Sequence, residues 1–200
     1  MTEIAICNQA LGWLGAKPIS SFDDPTNEAQ LCSDNYEPIR DAVLEERAWT
    51  FADKAATLTD PVPGGWGEAG PLLYELPDDV IRVYRVYRRV HGPQPVAVEG
   101  WRREGNYIAA RYSGTIYLMY TARVTEVGEF TAGFTQTLAA RIAADLAMAI
   151  TRSRKMQEDM WNLYQQKLRD AAATDAGQAR SERTDSVELV RTRFADGLQV

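Results

Sequence analysis

The sequence has few of the residue types that most catalytic and metal sites require. Its 200 residues include one histidine, His91, and two cysteines, Cys7 and Cys32. A zinc site of four cysteine and histidine ligands is therefore close to excluded, and a disulfide scaffold is not indicated. Two cysteines in such a chain fit a reduced, intracellular origin, and both are predicted to be small hydrophobic residues on helices.

Long apolar runs are missing too. Charged residues interrupt every apolar stretch, so we expect no segment that crosses a bilayer and no membrane partner. The start, Met1-Thr2-Glu3, lacks the basic region of a secretory signal. With 45% hydrophobic and 25% charged residues, the composition predicts one globular domain, or one domain with a small insertion, and not a disordered chain.

Residue patterns typical of catalysis are equally scarce. Acidic pairs occur at Asp23/Asp24, Glu45/Glu46 and Asp78/Asp79. Adjacent residues of a helix point to different sides, however, and acidic pairs are common in turns. The stretch Gly64-Gly65-Trp66-Gly67 lacks the Lys-Ser/Thr of a phosphate-binding loop, and His91 is predicted to lie in a surface turn. We therefore predict no enzymatic activity, no metal and no cofactor.

The net charge of −6 is unevenly distributed. Residues 1–60 carry 11 acidic and 4 basic side chains, whereas residues 80–112 carry seven arginines against two glutamates. An isoelectric point near 4.9 argues against a dedicated DNA-binding protein. It is compatible with a basic surface on one part of the molecule.

The hydrophobic pattern predicts helices at both ends of the chain and strands between them. The predicted helices cover residues 4–14, 25 to about 49, 134–150 and 156–173. The second begins at Asp24-Pro25 and is kinked or divided at Pro38, and polar residues 151–155 separate the last two. The predicted strands, which form one meander, cover residues 72–76, 80–90, 97–101, 107–112 and 115–120.

The predicted fold class is therefore α+β. It is mainly an antiparallel helical bundle of about four helices with an inserted small antiparallel β-sheet and an extended C-terminal tail. We assign residues 1–50 and 128–174 to the bundle, 51–127 to the inserted sheet and 175–200 to the tail.

Arginines of the predicted sheet form the first candidate interaction site. They are Arg82, Arg85, Arg88, Arg89, Arg102 and Arg103. The first four alternate with Tyr84 and Tyr87 on one strand. Such a row forms a solvated face, or it contacts an acidic protein partner, another subunit or a nucleic-acid backbone.

The second candidate site lies in the tail. Its residues are Val187, Leu189, Val190, Arg191, Arg193 and Phe194. The segment either frays or adds as a strand to another subunit's sheet. Aliphatic residues at every second position in a polar tail favour the partner.

A series of short motifs resembles the tail tubular protein A family of short-tailed bacteriophages. The N-terminal motifs are Asn8-Gln9-Ala10-Leu11 with Gly15, Pro18-Ile19, Asp23-Asp24, Glu28-Ala29, and Tyr36 followed by Arg40, Leu44 and Ala48-Trp49-Thr50-Phe51-Ala52. The later motifs are the stretch 74–83 (YELPDDVIRV), the stretch 117–124, and Phe130 with Phe134 before an Ala/Leu-rich helix. The similarity covers most of residues 3–172, and the order of the motifs carries it, since each motif alone encodes packing.

The resemblance implies a structural virion protein: the head-to-tail adaptor, also called connector or gatekeeper. Adaptors of this family form a homo-oligomeric ring, commonly a dodecamer, under the portal protein and offer a platform to the nozzle or next tail component. Genomic DNA passes through the ring without sequence specificity during ejection. Adaptors of long-tailed phages share the bundle, so the resemblance is compatible with either type of particle. It implies assembly in the host cytoplasm and residence at the head–tail junction, with the tail residues as candidates for binding the portal.

A nucleic-acid-binding module is the competing interpretation. It would use the arginine- and tyrosine-rich strand 80–89 and predicts tight, steeply salt-dependent DNA binding by the isolated chain. The adaptor interpretation predicts weak binding or none, because acidic surface elsewhere opposes it.

Overall fold

The computed structural model describes the backbone of residues 1–64, 70–89 and 95–195, and the side chains of these ranges except Arg89 and residues 178–195. The chain divides into two compact units. Met1–Val43 and Glu126–Val200 form a helical unit, and Leu44–Thr125 form a β unit. The predicted α+β class, with four helices and an inserted antiparallel β region, is confirmed.

Helix α1 (Glu3–Trp13) begins and ends at local signals. The Thr2 hydroxyl accepts a hydrogen bond from the Ala5 amide at 3.2 Å and caps the first turn. Beyond the last turn, Gly15 takes a left-handed conformation (φ 69°), which other residues adopt only at a cost. The predicted helix end at Gly15 is confirmed.

The loop between α1 and helix α2 (Asn27–Glu46) corrects one prediction. Asp24 does not cap α2, because its carboxylate already accepts hydrogen bonds from the amides of Ser20 (2.6 Å) and Ser21 (3.1 Å). Thr26 is the cap instead, and its hydroxyl accepts from the Ala29 amide at 3.2 Å. Helix α2 also continues through Pro38 without a division.

Helix α3 (Ala132–Thr151) packs closely on helix α4 (Arg154–Ala195). At Gly133, an added Cβ would lie 3.0 Å from the Ala171 Cβ, so the two helices approach where neither has a large side chain. The predicted interruption between them is confirmed. Arg152 is left-handed (φ 53°), and the Ser153 hydroxyl accepts from the Met156 amide at 3.2 Å to start α4.

The C-terminal region differs from the extended tail that we predicted. The backbone of α4 remains helical to Ala195, and this includes residues 187–194. Residues 154–195 contain no proline and a single glycine, so nothing in the backbone chemistry ends the helix at 174. The predicted tail residues 196–200 lie outside the described residues.

The β unit contains two four-stranded antiparallel sheets where we predicted a single meander. Sheet A has the order β1-β8-β4-β5 and sheet B the order β2-β3-β7-β6. The strands are β1 (Asp53–Leu58), β2 (Val62–Pro63), β3 (Leu72–Glu75), β4 (Val80–Arg89), β5 (Pro95–Ala97), β6 (Arg102–Glu104), β7 (Tyr107–Ala110) and β8 (Ile116–Ala122). The prediction missed β1, whose sequence DKAATL has few β-branched residues, and it placed a strand at 97–101 where Gly100 makes a turn (φ 68°).

Two register shifts on β4 decide which side chains enter the core of the β unit. Val80, Val83 and Val86 pair with Ala122, Tyr120 and Leu118 of β8, which are all buried. A regular strand would alternate every two residues, but the shifts between Val80 and Arg82 and between Val83 and Arg85 produce a spacing of three. The valines therefore share one face, and the residues between them are directed elsewhere.

Candidate interaction surface

The six arginines of the predicted site do not form one cluster. Arg82 belongs to the end of α2: its Nη1 donates to the Glu45 carbonyl oxygen at 2.9 Å and lies 3.4 Å from that of Glu46. A cation at the C-terminus of a helix satisfies free carbonyl groups and interacts favourably with the helix dipole. This guanidinium therefore has a structural role at the end of α2.

Arg103 is engaged in the same way between the two sheets. Its Nη1 donates to the Ile81 carbonyl oxygen at 2.6 Å, and its Nε donates to that of Gly105 at 3.0 Å. Because Arg103 lies on β6 of sheet B and Ile81 on β4 of sheet A, the side chain links the sheets. Its neighbour Arg102 pairs with the carboxylate of Glu104 on the same strand.

Arg85 and Arg88 lie on opposite sides of sheet A. The Arg88 guanidinium carbon lies 5.0 Å from the ring centroid of Tyr112, a cation–π contact on the core side. Arg85 is exposed, and among the described residues no side chain forms an ion pair or hydrogen bond with it. The side chain of Arg89 lies outside the described residues.

Arg85 is the charged centre of an exposed surface of sheet A that we call the arginine–tyrosine face. Its members follow from the strand register and are Ala55 and Thr57 of β1, Met119 and Tyr117 of β8, and Arg85 and Tyr87 of β4. The rings of Tyr87 and Tyr117 stack at 5.4 Å with an interplanar angle of 17°. A stacked aromatic pair beside one free guanidinium is suited to binding a partner surface.

At the edge of this face, Tyr84 of β4 is hydrogen-bonded to β1. Its hydroxyl donates a hydrogen bond to the Asp53 carboxylate. Burial and the neighbouring carboxylate both raise the pKa of Tyr84 above its usual range. The hydroxyl therefore stays protonated at neutral pH and serves as a donor between strands.

A groove between α3 and α4 is a second surface, which was not predicted from the sequence. It has a volume of about 480 Å³ and is lined by Ala144, Asp145, Gln157, Glu158, Trp161 and Asn162. Trp161 is 42% exposed, as is Met148 on α3. A tryptophan among the polar residues of α4, outside its apolar stripe, was the signal that could have indicated it.

The portal-binding candidates of the predicted tail lie on α4. The backbone of residues 187–194 is helical, and their side chains are outside the described residues. Their proposed role therefore stays a prediction.

Asp79, of the acidic pair Asp78/Asp79, is accounted for by local structure. Asp79 accepts hydrogen bonds from Lys54 Nζ at 2.9 Å and from the Tyr120 hydroxyl at 3.0 Å. Burial alone raises the pKa of Asp79, but these two hydrogen bonds and the Lys54 charge outweigh it and hold that pKa below its usual range. Burial and the bond to Asp79 raise the pKa of Tyr120 to about 12. This is a structural ion-pair cluster at the start of β4.

Metal-ligating and thiol groups give no further site in the described ranges. Those ranges contain no group of three or more histidine, cysteine or acidic residues placed to hold a metal ion, and His91 lies outside them. Cys7 of α1 and Cys32 of α2 are free, buried thiols, and the neighbouring Cys32 thiol together with burial raises the pKa of Cys7. Across residues 1–64, 70–89 and 95–195, no helix combines the length and apolarity that a membrane crossing needs.

The motifs that carry the family resemblance are occupied by residues with packing roles. Asn8 joins two of the motifs: its Oδ1 accepts from the Ile19 amide and its Nδ2 donates to the Ile19 carbonyl, both at 2.8 Å. Trp49 is fully buried beside the Arg47 guanidinium, and the Tyr74 hydroxyl donates to the carbonyl oxygens of Tyr112 and Gly114. No protein-family model matches the sequence, and no curated protein matches it.

Proposed function

We propose that the chain is a structural subunit of a tailed-phage particle, the head-to-tail adaptor. Copies of it would form a ring, of twelve in the family it resembles, between the portal protein and the nozzle or next tail component. Genomic DNA would pass through this ring without sequence-specific contacts. The proposal makes the chain a virion protein with no catalytic role and no cofactor.

The ordered series of adaptor-like motifs carries this proposal. Its residues work as one structural set, in which Asn8 pins the loop at Ile19, Tyr74 anchors β3 and Arg82 caps α2. An enzyme concentrates polar groups at a reacting centre, whereas Asn8, Tyr74 and Arg82 of the motifs each bind backbone groups. That pattern supports a subunit whose task is to hold a shape and present surfaces.

The experiment that tests it is a binding measurement with the portal protein of the same virus. Light scattering on the assembled portal ring, with and without the full chain, gives the mass of the complex. We expect a stable complex that contains several copies of the chain, because a ring under the portal is the proposed state. A portal ring that elutes with unchanged mass in the presence of excess chain would refute the proposal.

Deletion of residues 180–200 tests the predicted portal-binding segment. We expect the shortened chain to keep its circular-dichroism spectrum for the remaining helices and to lose portal binding, since the aliphatic and arginine residues at 187–194 are removed. Glu182→Gln, a single change in the same segment that leaves residues 187–194 intact, is the control and should bind normally. Normal binding by the shortened chain would show that the segment is not the portal contact.

The arginine–tyrosine face favours a second candidate, a nucleic-acid-binding module. A free guanidinium beside two stacked tyrosines is a combination that binds single-stranded nucleic acid through charge and stacking. Titration of labelled single- and double-stranded DNA at two salt concentrations separates the candidates. Tight binding that falls steeply with salt and is lost in Arg85→Glu would favour the module, and weak or absent binding would favour the adaptor.

A further inference from the structure

We propose that the groove between α3 and α4 of one copy receives the arginine–tyrosine face of a second copy. The inference rests on the proposed function, because a ring requires each subunit to offer two different and complementary surfaces. The two surfaces lie on separate units of the chain.

The groove has a preformed aromatic anchor. The guanidinium carbon of Arg141 lies 4.9 Å from the ring centroid of Trp161, and the Tyr164 ring lies 5.4 Å from it. Arg141 is itself held by Asp145, with Nε to Oδ2 at 2.9 Å. Trp161 is thus fixed on one side and 42% exposed, which lowers the entropic cost of burying it against a partner.

A second exposed hydrophobic side chain lies on α3 near the groove. Met148 lies one turn beyond Ala144, on the same side of the helix, and is also 42% exposed. Two large exposed hydrophobic side chains close to one groove favour a protein partner, since adaptable methionine and rigid tryptophan are typical of interfaces. The sheet face offers the stacked Tyr87 and Tyr117 as the matching apolar surface.

The charges of the two surfaces are opposite. The groove is lined by two carboxylates, Asp145 and Glu158, and by no basic residue. Asp145 is paired with Arg141, whereas Glu158 is exposed and forms no ion pair with any side chain in the described ranges. The sheet face carries Arg85 in the same state. A free carboxylate on one surface and a free guanidinium on the other make the two surfaces complementary, so that each favours the other over a second copy of itself.

Such a contact is heterologous, because it joins two different surfaces of identical chains. A heterologous contact repeats around an axis and closes as a ring when the rotation permits. This is the kind of interface that the proposed adaptor needs. A contact between two identical patches would instead stop at a dimer.

Charge reversal tests the pairing directly in the full chain. The variants are Glu158→Arg, Arg85→Glu and the double reversal, and each changes an exposed side chain that makes no described hydrogen bond or ion pair. The matched controls are Asp159→Arg, which reverses the neighbouring acid outside the groove lining, and Arg111→Glu, an exposed arginine outside the sheet face. Sedimentation velocity over a wide concentration range measures self-association.

We expect each single reversal at the two surfaces to weaken self-association at least about tenfold, and the double reversal to restore most of it. The two controls should associate like the natural chain. The inference is overturned by single reversals that match their controls, by a double reversal no better than the single ones, or by a natural chain that stays monomeric at every concentration.

The portal measurement distinguishes this inference from the proposed function. If Glu158→Arg loads the portal with a full complement of copies, the adaptor role stands and the groove is not the contact. If self-association follows the charge pattern but no portal is bound, the groove contact stands and the adaptor role falls. A reversal that blocks only the next tail component would assign the groove to that partner and overturn the inference.

Discussion

Within the helical unit and within the β unit, the side-chain hydrogen bonds span different distances along the sequence. In the helical unit, the caps of α1 and α2 join residues three positions apart. In the β unit, the Tyr74 hydroxyl reaches carbonyl groups 38 and 40 residues away. The helix ends of the helical unit are therefore specified by local patterns, whereas the β unit depends on contacts that no short stretch of sequence reveals.

We expect the largest loss of stability at Tyr74, whose hydroxyl makes the long-range contacts of the β unit. Tyr74 is fully buried, and its hydroxyl lies 2.5 Å from the carbonyl oxygen of Tyr112. Tyr74→Ala should lower the free energy of unfolding by about 3–5 kcal/mol through the cavity it leaves. Tyr74→Phe should cost about 1–3 kcal/mol, since two carbonyl groups lose their donor.

Urea unfolding followed by circular dichroism measures both changes. Phe134→Ala, a fully buried aromatic of the helical unit, is the matched control and should cost a similar amount to Tyr74→Ala. The proposed difference between the units is contradicted if the free energy of unfolding of Tyr74→Phe lies within about 0.5 kcal/mol of that of the natural chain. The hydroxyl would then contribute nothing to joining β3 to the segment between β7 and β8.

This difference explains what could be predicted from the sequence. The end of α1 at Gly15 and the break at Arg152 were predicted well, because glycine chemistry and a polar interruption act within one turn. The existence of two sheets was not predicted, because strand pairing is set by distant partners. The exception within the helical unit is Asp24, whose carboxylate is taken by the loop before it and not by the helix after it.

The candidate interaction surfaces, too, could be predicted only in part from the sequence. Arginines on one strand were predicted as one surface, but Arg85 and Arg88 are three positions apart, so strand alternation places Arg85 on the exposed face and Arg88 on the core side. Arg82 donates to the end of α2 instead, a contact that residue spacing on the strand does not reveal. The α3–α4 groove was missed because it needs two helices in contact, and the sequence marks only Trp161 on one of them.

A side-chain contact across 11 residues within the helical unit tests the comparison from its other side. Asn8 makes two hydrogen bonds of 2.8 Å to the backbone of Ile19, 11 residues away. Asn8→Ala should lower the free energy of unfolding by about 1–2 kcal/mol, because both backbone groups lose their partner. Gln9→Ala, next to it on α1, is the control and should change stability by less than about 0.5 kcal/mol in the same denaturation experiment. Equal effects of the two substitutions would mean that the loop is held by packing alone.

Arg82 and Arg85 allow a hydrogen-bonded arginine and an exposed one to be compared on a single strand. Arg82→Met should cost about 1 kcal/mol, because the Glu45 carbonyl at the end of α2 loses its donor while the apolar stem is kept. Arg85→Met should leave stability within about 0.5 kcal/mol, since that side chain is exposed. Thermal unfolding of both variants measures the difference. Equal losses would show that the position on the strand matters more than the contact.

The smallest effect concerns the cluster of Asp79, Lys54 and Tyr120, which joins β1 and β8 to the start of β4 by one ion pair and one hydrogen bond. Because the pKa of Asp79 is lowered by folding, the ionised form stabilises the fold at pH values above the ordinary value near 3.9. That contribution disappears as the pH falls through the lower value of the folded state. Asp79→Asn should therefore cost less than about 1 kcal/mol at neutral pH, since both charged partners are partly exposed.

Melting curves of the natural chain and Asp79→Asn at several pH values test this sign. The two melting temperatures should differ at neutral pH and converge in acid, where Asp79 is protonated and its attraction to Lys54 is lost. Asp78→Asn is the control, because Asp78 is the adjacent acid and no hydrogen bond or ion pair to it is found in the described ranges. A difference that stayed constant across the pH range would assign the effect of Asp79 to its hydrogen bonds. Charge would then add nothing to the long-range contacts that distinguish the β unit from the helical unit.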